Sequence, residues 1–235
     1  MHPREVVDTN VMGPLNVLMA ARDLGIQRVV HTSTSEVFGT AQYVPIDEDH
    51  PLQGQSPYSA SKIGADKIAE SFYCSYDLPV VTVRPFNTYG PRQSARAVIP
   101  TIITQALTRD EVHLGSLEPS RDFTFVLDTV NGFLRAAQAE DVLGEEINLG
   151  NNATITIGDL CAKIFEILDK SPRIVTESQR MRPDKSEVLR LHASNKKAKE
   201  RIGWEPLVSL DEGLRITIKW ISAHLELYKP DQYTV

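Results

Sequence analysis

This sequence predicts an α/β fold in which helices cover a parallel sheet. Two observations support the prediction: short β-branched runs recur as buried strands, and apolar stripes at helical spacing separate them. Strands that alternate with helices are typical of parallel βαβ units. With 235 residues and a hydrophobic content of 41%, the chain is long enough to bury a full core.

The elements follow in order along the first part of the chain. Val7, Val11, Leu15 and Leu18 form a helical stripe that ends near Gly25. The elements predicted after it are a strand at 28–32, a helix at 58–76 and a strand at 79–84 that Pro85 ends. Beyond about residue 93 the pattern becomes mixed. The elements predicted there are helices at 99–107, 128–139, 157–168 and 210–225 and a short strand at 146–149.

Composition narrows the possible partners. The net charge of −6 argues against a nucleic-acid surface, and no basic run indicates a membrane or phosphate backbone as partner. Cys74 and Cys161 lie far apart without metal-ligand spacing, which predicts reduced, buried thiols and no metal site. His31 lies in a strand pattern and is predicted to be a core histidine. Because no segment has the length of a membrane helix and the N-terminus is no signal peptide, we expect a cytoplasmic protein.

Tyr58 and Lys62 form the most informative pair in the sequence. They are four residues apart in a predicted helix, so the phenol and the ammonium lie on one face. There the cation can lower the pKa of the phenol and let it act as a base near neutral pH. By itself, the pair is equally consistent with an amphipathic helix that carries a tyrosine and a lysine by chance.

Six ordered segments together resemble the extended short-chain dehydrogenase/reductase family that modifies nucleotide sugars. They are 10–16 (NVMGPLN), 33–39 (STSEVFG), the Tyr58/Lys62 helix, 84–92 (RPFNTYGPR), 121–123 (RDF) and 203–206 (GWEP). The resemblance spans nearly the whole chain. It implies an NAD-dependent enzyme with a Rossmann-type doubly wound parallel sheet and a smaller, mixed α/β substrate-binding lobe.

The resemblance also implies a division of the chain. Residues 1–92 would form the C-terminal part of the NAD(P)-binding domain and 93–235 mainly the nucleotide-sugar lobe, with 120–150 returning to the Rossmann sheet. A dinucleotide fold needs a glycine-rich turn after its first strand to hold the pyrophosphate. Neither Gly-x-Gly-x-x-Gly nor Gly-x-x-Gly-x-x-Gly occurs here. We therefore expect a partial sheet without its first strands, the chain lacking on the order of 80 to 100 residues that family members carry.

The family likeness assigns the reacting groups. Tyr58 would take the proton of the sugar 4-hydroxyl during oxidation at C4, while Lys62 would hold the nicotinamide ribose. Thr34, at the carboxyl end of its strand, would hydrogen-bond the same oxygen. Asn10 would contact the nicotinamide end of the cofactor or order a water. The full set of expected NAD contacts is Asn10, Thr32, Tyr58, Lys62 and Pro85.

Pro14 is a departure from the family pattern. Relatives usually carry threonine there, and a proline removes the amide that would bond to the carbonyl of Asn10. A kink at this position is therefore expected to shift Asn10.

Glu36 indicates the reaction class. Once C4 is a ketone, the C5 hydrogen is acidic, and a carboxylate beside it can remove that proton and drive loss of the C6 hydroxyl as water. Epimerases of the superfamily usually carry an uncharged residue there, whereas Thr34-Ser35-Glu36 resembles the Thr-Ser-Glu of GDP-mannose 4,6-dehydratases. dTDP-glucose dehydratases use Thr-Asp-Glu, so here Glu36, Ser35 or a water must protonate the leaving hydroxyl. A solvated surface glutamate is the alternative.

The substrate side resembles a diphosphate site. Asn87 matches the family asparagine that contacts the nucleotide-sugar phosphates, and Arg121 and Arg182 match its phosphate-binding arginines. Glu187 matches the acid that relatives place on the nucleotide ribose. Arg92 is assigned to the substrate as well, or is an ordinary surface charge.

Three segments, 43–48, 94–100 and 182–188, resemble the dehydratases of the legionaminic acid pathway, which act on UDP- or GDP-linked N-acetylglucosamine. The implied reaction is an NAD-dependent 4,6-dehydration: oxidation at C4, elimination of water across C5 and C6, and hydride return to C6. UDP-glucuronate decarboxylases and NDP-sugar 4-epimerases stay open as alternatives, although the decarboxylases typically carry Tyr-Asp-Glu-Gly-Lys in place of the YSASK at 58–62. A substrate-binding remnant without cofactor is the alternative from another class.

Assembly and stability are the last expectations. Family members commonly pair through two helices that correspond to 6–24 and 58–76, and both carry apolar stripes here, so we expect a homodimer. For these 235 residues alone, we expect no measurable NAD binding and poor solubility, because strand 28–32 would lie at an unpaired sheet edge.

Overall fold

The computed structural model describes residues 2–180 and 188–228. In these ranges the α-helices are α1 (Pro3–Val7), α2 (Gly13–Asp23), α3 (Pro57–Tyr76), α4 (Val98–Thr108), α5 (Val126–Gln138), α6 (Ile157–Leu168), α7 (Lys196–Ile202) and α8 (Leu210–Ala223). The strands are β1 (Val29–Thr32), β2 (Val80–Pro85), β3 (Asn87–Tyr89), β4 (Glu111–Leu114), β5 (Ser120–Arg121), β6 (Phe123–Phe125), β7 (Glu146–Leu149), β8 (Ile155–Thr156) and β9 (Arg173–Thr176). The predicted α/β class with a parallel sheet is confirmed.

The main sheet has three parallel strands in the order β1–β2–β7. On one side of β2, Val29 pairs with Val80, and on the other side Val83 pairs with Ile147. The first five residues of β2 are buried, as expected for a middle strand of a parallel sheet that is covered on both faces. The division of the chain near residue 92 stays a prediction.

The two faces of the sheet are covered by different helices, because successive side chains of a strand point in opposite directions. Val80 packs with Leu18 of α2 and Phe72 of α3. Val81 and Val83 belong to the other cluster, which includes Ala136 of α5, Ala198 of α7 and the fully buried Trp204. The result is a doubly wound arrangement that brings the carboxyl ends of β1 and β2 to one edge.

The remaining strands form small sheets: β3 with β6 and β4 with β9 are parallel, and β5 with β8 is antiparallel. A second core lies among α4, α6 and α8, where Ile102, Leu160 and Leu214 are fully buried. No helix in the two described ranges has the length and apolar character that a membrane crossing requires.

The predicted helix through residues 6–24 is interrupted. A π-helical turn, Asp8–Met12, separates α1 from α2, and the amide of Gly13 donates to the carbonyl of Asp8. Pro14 has no amide to donate, so the regular bonding pattern cannot continue through it. The distortion expected from this proline is present as a local change of helix type.

The two cysteines differ. Cys161 is buried in α6, as predicted. The prediction of a buried thiol was wrong for Cys74, which is exposed. The buried positions of α3 near it, Ala69 and Phe72, lie on the sheet-facing side, and Cys74 is two residues beyond Phe72 on the opposite side.

Candidate active site

Tyr58 and Lys62 lie in the first two turns of α3, and the local sequence determines where this helix begins. Ser56 caps it: the Ser56 hydroxyl accepts from the amide of Ser59 at 3.1 Å, and the Ser59 hydroxyl accepts from the amide of Ser56 at 3.0 Å. Pro57 occupies the first helical position, where a missing amide is harmless. Tyr58 and Lys62 therefore share the helix face that begins beside the end of β1.

Lys62 contacts the carboxyl end of β1. Its Nζ donates to the carbonyl oxygen of Thr32, the last residue of the strand, at 2.6 Å. Burial lowers the pKa of Lys62, and the negative charge of Asp66 acts in the opposite direction. The ammonium group is thus held at the edge of the sheet.

Tyr58 lies against Thr34 and Glu36. Burial raises the pKa of the phenol, the charge of Glu36 raises it further, and a hydrogen bond with Thr34 lowers it. The phenol pKa is therefore above its usual value, contrary to the lowering expected from Lys62. The physical reason is that burial outweighs the favourable contact, while the Lys62 ammonium donates to the carbonyl of Thr32.

Glu36 is placed by a short 3-10 turn, Ser35–Phe38, that follows β1. The hydroxyl of Thr34 accepts from the amide of Glu36 at 3.3 Å and caps the turn. Gly39 ends it with a φ of 61°, and its amide donates to the carbonyl of Glu36 at 3.3 Å. In this turn Ser35 is buried and Glu36 is half-buried, so Glu36 has more access to a ligand than Ser35.

Asn10 is tied to the start of α3. Its Nδ2 donates to the hydroxyl of Ser61 at 3.0 Å, and Ser61 in turn donates to the carbonyl of Tyr58 at 2.7 Å. The π-helical turn that carries Asn10 therefore braces the segment of α3 that carries Tyr58. Ser61 was missed in the sequence analysis, although it lies within the run that contains Tyr58 and Lys62.

A buried carboxylate, Asp66, lies one helical turn beyond Lys62. It accepts hydrogen bonds from Nε2 of His31 at 3.0 Å, from the hydroxyl of Ser33 at 2.7 Å and from Nη2 of Arg84 at 3.2 Å. Burial alone would raise the pKa of Asp66, but the hydrogen bond from His31 and the charge of Arg84 hold it below its usual value. His31 is buried, as predicted. The i,i+4 spacing from Lys62 to Asp66 was a signal that the sequence analysis did not use.

The substrate-side residues lie on separate segments near the end of β2. Pro85 ends β2 opposite Leu149, and Asn87 begins β3 two residues later. The side-chain oxygen of Asn87 is buried and has no hydrogen-bond partner. Because Asn87 pairs with Phe123 of β6, the topology also brings the neighbouring Arg121 to this region.

The predicted arginines differ in setting. Arg121 is half-buried in β5, and its Nη1 donates to the carbonyl of Ser120 at 3.0 Å. Arg92 is exposed in a left-handed backbone conformation with a φ of 67°. Arg182 and Glu187, which were predicted to bind phosphate and ribose, lie outside the described residues.

Asp122, next to Arg121, is a fully buried carboxylate that the sequence analysis did not assign. It accepts from the amides of Asn151 at 2.6 Å and Ala193 at 3.1 Å. Burial raises the pKa of Asp122 to about 6, although these backbone donors favour the charged form. Asp122 lies between β5, which carries Arg121, and β6, and it thereby connects these strands to the segments of Asn151 and Ala193.

The arrangement can exchange protons but offers no metal centre in the part of the chain that is described. No group of three or more His, Cys, Asp or Glu side chains there could hold a metal ion. Thr34, Glu36, Tyr58 and Lys62 place a hydroxyl, a carboxylate, a phenol and an ammonium at one edge of the sheet. Such a set is suited to removing and returning protons on a ligand bound at that edge.

The chain is similar to a family of known enzymes. The family model described as GDP-mannose 4,6 dehydratase matches residues 1–217. A dTDP-glucose 4,6-dehydratase from Xanthomonas campestris pv. campestris (strain B100) is 32% identical over 240 residues, covering 93% of this chain and 67% of the relative. A UDP-glucuronate 4-epimerase from Thermodesulfobacterium geofontis (strain OPF15) is 32% identical over 232 residues, covering 97% of this chain and 69% of the relative. Dehydratases and epimerases therefore match about equally well.

Solved structures agree with this result. TunA, described as an NAD-dependent NDP-hexosamine 5,6-dehydratase involved in tunicamycin biosynthesis, has a TM-score of 0.86 and 30% identity; the match covers 94% of this chain and 71% of that chain. Similar structures include a dehydratase and an epimerase that hold NAD and a protein that holds NADPH.

Proposed function

We propose that this chain, which belongs to the nucleotide-sugar dehydratase and epimerase family described as GDP-mannose 4,6-dehydratase, serves in 4,6-dehydration of UDP- or GDP-N-acetylglucosamine. The observation that carries the proposal is the position of Glu36, whose charge acts on the Tyr58 phenol. A 4,6-dehydration needs a base for C5 close to the group that deprotonates the 4-hydroxyl, and these two residues satisfy that requirement. The hexosamine is supported by the segments 43–48, 94–100 and 182–188 and by the similarity to TunA.

The described residues fit the nicotinamide end of NAD. The Lys62 ammonium at the carboxyl edge of β1 can hold a ribose hydroxyl, and Asn10, Thr32 and Pro85 lie on the segments that lead to this edge. NAD, when bound, supplies the hydride acceptor for oxidation at C4 and the hydride donor for C6. The sequence has no glycine-rich turn for the pyrophosphate, so these 235 residues offer only part of a cofactor site.

The chain's own residues would handle the protons. Tyr58 takes the proton of the 4-hydroxyl, and Thr34 holds the same oxygen. Because burial and Glu36 keep the phenol protonated, its use as a base depends on positive charge, which Lys62 provides one turn away. Glu36 then removes the C5 proton and, as a carboxylic acid, protonates the leaving C6 hydroxyl, which departs as water. The burial of Ser35 favours Glu36 or a water over Ser35 for that last step.

The test separates C4 oxidation from dehydration. It uses an extended form of the protein, in which these 235 residues are joined to a glycine-rich pyrophosphate-binding part that completes the cofactor site. In this extended form, with NAD and UDP-N-acetylglucosamine, Glu36→Gln should still form NADH, seen by absorbance, but should not form the product that is lighter by one water in mass spectrometry. Glu70→Gln, an exposed change on α3, is the matched control and should behave as wild type. If Glu36→Gln loses oxidation and dehydration equally, Glu36 is not the C5 base.

A 4-epimerase is the second candidate, because an epimerase matches as well as a dehydratase does. Epimerisation at C4 needs no base at C5, so an epimerase would keep full activity in Glu36→Gln and would give a product of unchanged mass. Chromatographic separation of the C4 epimers distinguishes the two reactions.

Substrate binding without cofactor is the remaining alternative, and calorimetry addresses it. We expect the 235-residue chain to bind UDP-N-acetylglucosamine through Asn87 and Arg121 and to bind NAD too weakly to measure. Tight NAD binding by a folded sample would contradict this expectation and would place the whole cofactor site within these residues.

We also infer a homodimer through α1, α2 and α3. The first two helices and the turn between them leave Val7, Met12, Val17 and Met19 between 42% and 61% exposed, and Tyr76 of α3 is 52% exposed. Apolar side chains grouped on neighbouring helices favour a protein interface. A single monomeric species in light scattering at micromolar concentration would contradict the dimer.

A further inference from the structure

Asp66 is an unusual residue for the inside of a helix–sheet interface. Its side chain is 2% exposed, and a buried carboxylate is costly unless hydrogen bonds and opposite charge compensate it. Here the compensation comes from β1, through His31 and Ser33, and from β2, through Arg84. One carboxylate therefore connects α3 to two strands of the main sheet.

The two β1 donors lie on either side of Thr32. His31 and Ser33 point to the same face of the strand, toward α3, because side chains alternate along β1. Their bonds to Asp66 fix the strand just before and just after the carbonyl that accepts from Lys62. Asp66 is also four residues after Lys62 on the same helix. The contacts that Lys62 and Asp66 make with the end of β1 therefore lie about one helical turn apart on α3.

The connection continues toward Glu36. The Arg84 guanidinium that bonds to Asp66 lies 5.4 Å from the ring centre of Phe38, within cation–π distance. Phe38 is fully buried at the end of the turn that carries Glu36. Asp66 is thus connected to both segments that contact Tyr58 and Lys62. It bonds directly to residues at the end of β1, and Arg84 links it to the turn Ser35–Phe38.

We propose that Asp66 is a positioning residue: its carboxylate fixes the end of β1 against α3 and thereby holds the Thr32 carbonyl at Lys62 and Thr34 at Tyr58. The inference rests on the proposed function of Tyr58 and Lys62. Asp66 lies beneath the reacting groups and acts through them, so its effect is expected in their geometry and in the charge of Lys62.

The charged groups around Asp66 determine what its removal does to Lys62. His31 faces it from β1, Arg84 from β2 and Lys62 from α3, while Glu146 of β7 lies 3.5 Å from Arg84. In Asp66→Asn a negative charge that supports the Lys62 ammonium is lost, and the charge of Arg84 is less compensated. Both changes favour neutral Lys62, so its titration midpoint should move to lower pH.

The experiment titrates Lys62 by pH-dependent labelling with an amine-reactive reagent, read by mass spectrometry, in the full chain without substrate. Asp66→Asn should lower the midpoint. The matched control is Asp128→Asn on α5, which removes another buried carboxylate that accepts from the amide of Val208 at 3.0 Å. This control should leave the Lys62 midpoint where it is in wild type.

Hydrogen exchange of residues 32–38 is the second measurement. It should become about tenfold faster in Asp66→Asn and also in Ser33→Ala, which removes one hydrogen bond and keeps the charge. If Asp66→Asn does not fold, Ser33→Ala decides the question by exchange alone. Exchange and titration that change no more than in Asp128→Asn would overturn the proposal.

Neither measurement requires turnover. If the extended form with a complete cofactor site dehydrates no nucleotide sugar while the Lys62 midpoint is shifted in Asp66→Asn, the proposed function is rejected and the positioning role is supported. Unchanged titration and exchange would reject the positioning role whatever the activity of the chain.

Discussion

Two regions of this protein hold their functional side chains in different ways. The proposed catalytic edge consists of Thr32, Thr34, Glu36, Tyr58 and Lys62. Its residues contact one another, and buried Asp66 supports them from α3. On the substrate side, Asn87 has a buried oxygen without partner, Arg92 is exposed, and Arg121 donates to the carbonyl of its own neighbour. Under the proposed function, the groups that move protons are positioned in advance, whereas the Asn87 side chain keeps an unused acceptor for a hydrogen-bond donor on the ligand, such as a sugar hydroxyl.

The largest effect is expected at the catalytic edge. Tyr58→Phe should lower the rate of C4 oxidation by about 10²–10⁴-fold, because general acid–base groups typically contribute that much. Stopped-flow measurement of NADH formation in the extended form, which has a complete cofactor site, checks this result. Tyr73→Phe, on the same helix and also half-buried, is the control and should have little effect. Comparable losses in both variants would argue for general damage to α3.

The next effect concerns the support beneath the catalytic edge. Arg84→Met leaves the buried Asp66 charge without its arginine and should lower the free energy of unfolding by about 3–5 kcal/mol in urea denaturation. The comparison is Lys163→Met, which breaks the surface pair with Asp211 and should cost less than about 1 kcal/mol. Equal costs for the two variants would show that the buried network is not what stabilises this region.

A pH dependence should appear at Asp122, on the substrate side. Burial raises its pKa to about 6, so the folded state binds this proton more tightly than the unfolded state, whose pKa is about 3.9. Its contribution to stability is complete below pH about 4 and is lost as the pH rises through 6.

Relative to Asp122→Asn, wild type should therefore lose on the order of 2–3 kcal/mol of unfolding free energy between pH 4 and 7. Urea denaturation at several pH values measures the difference between the two proteins. A difference that stays constant or grows with pH would mean that Asp122 is ionised throughout this range.

The smallest effects are expected for the two substrate-side arginines, of which Arg121 is half-buried and Arg92 exposed, and are measured in the extended form. Arg121→Ala should raise the KM for UDP-N-acetylglucosamine by about 10- to 100-fold, since a hydrogen bond to a charged group is worth about 1.5–3 kcal/mol. Arg92→Ala should change KM by less than about threefold because its side chain is exposed. A larger increase in KM for Arg92→Ala than for Arg121→Ala would indicate that Arg92, and not Arg121, contacts the phosphates.

Local sequence determined where α3 begins and which side chains share its face. Ser56 and Pro57 specify the first turn, and the four-residue spacing places Tyr58 and Lys62 together without help from any distant residue. The β-branched runs at β1 and β2 were sufficient to predict strands for the same reason. The periodicity of helices and strands is a short-range property, so the α/β class and most elements could be predicted.

Tertiary structure decided the features that depend on burial and on residues far away in sequence. His31 and Ser33 meet Asp66 more than 30 positions later, and only the packing of α3 on the sheet brings them together. The raised pKa of Tyr58 likewise reflects burial against Glu36 more than its spacing from Lys62. A sequence specifies which groups are present at each step of the chain, but solvent exclusion and long-range contacts, which set their charge and position, exist only after folding.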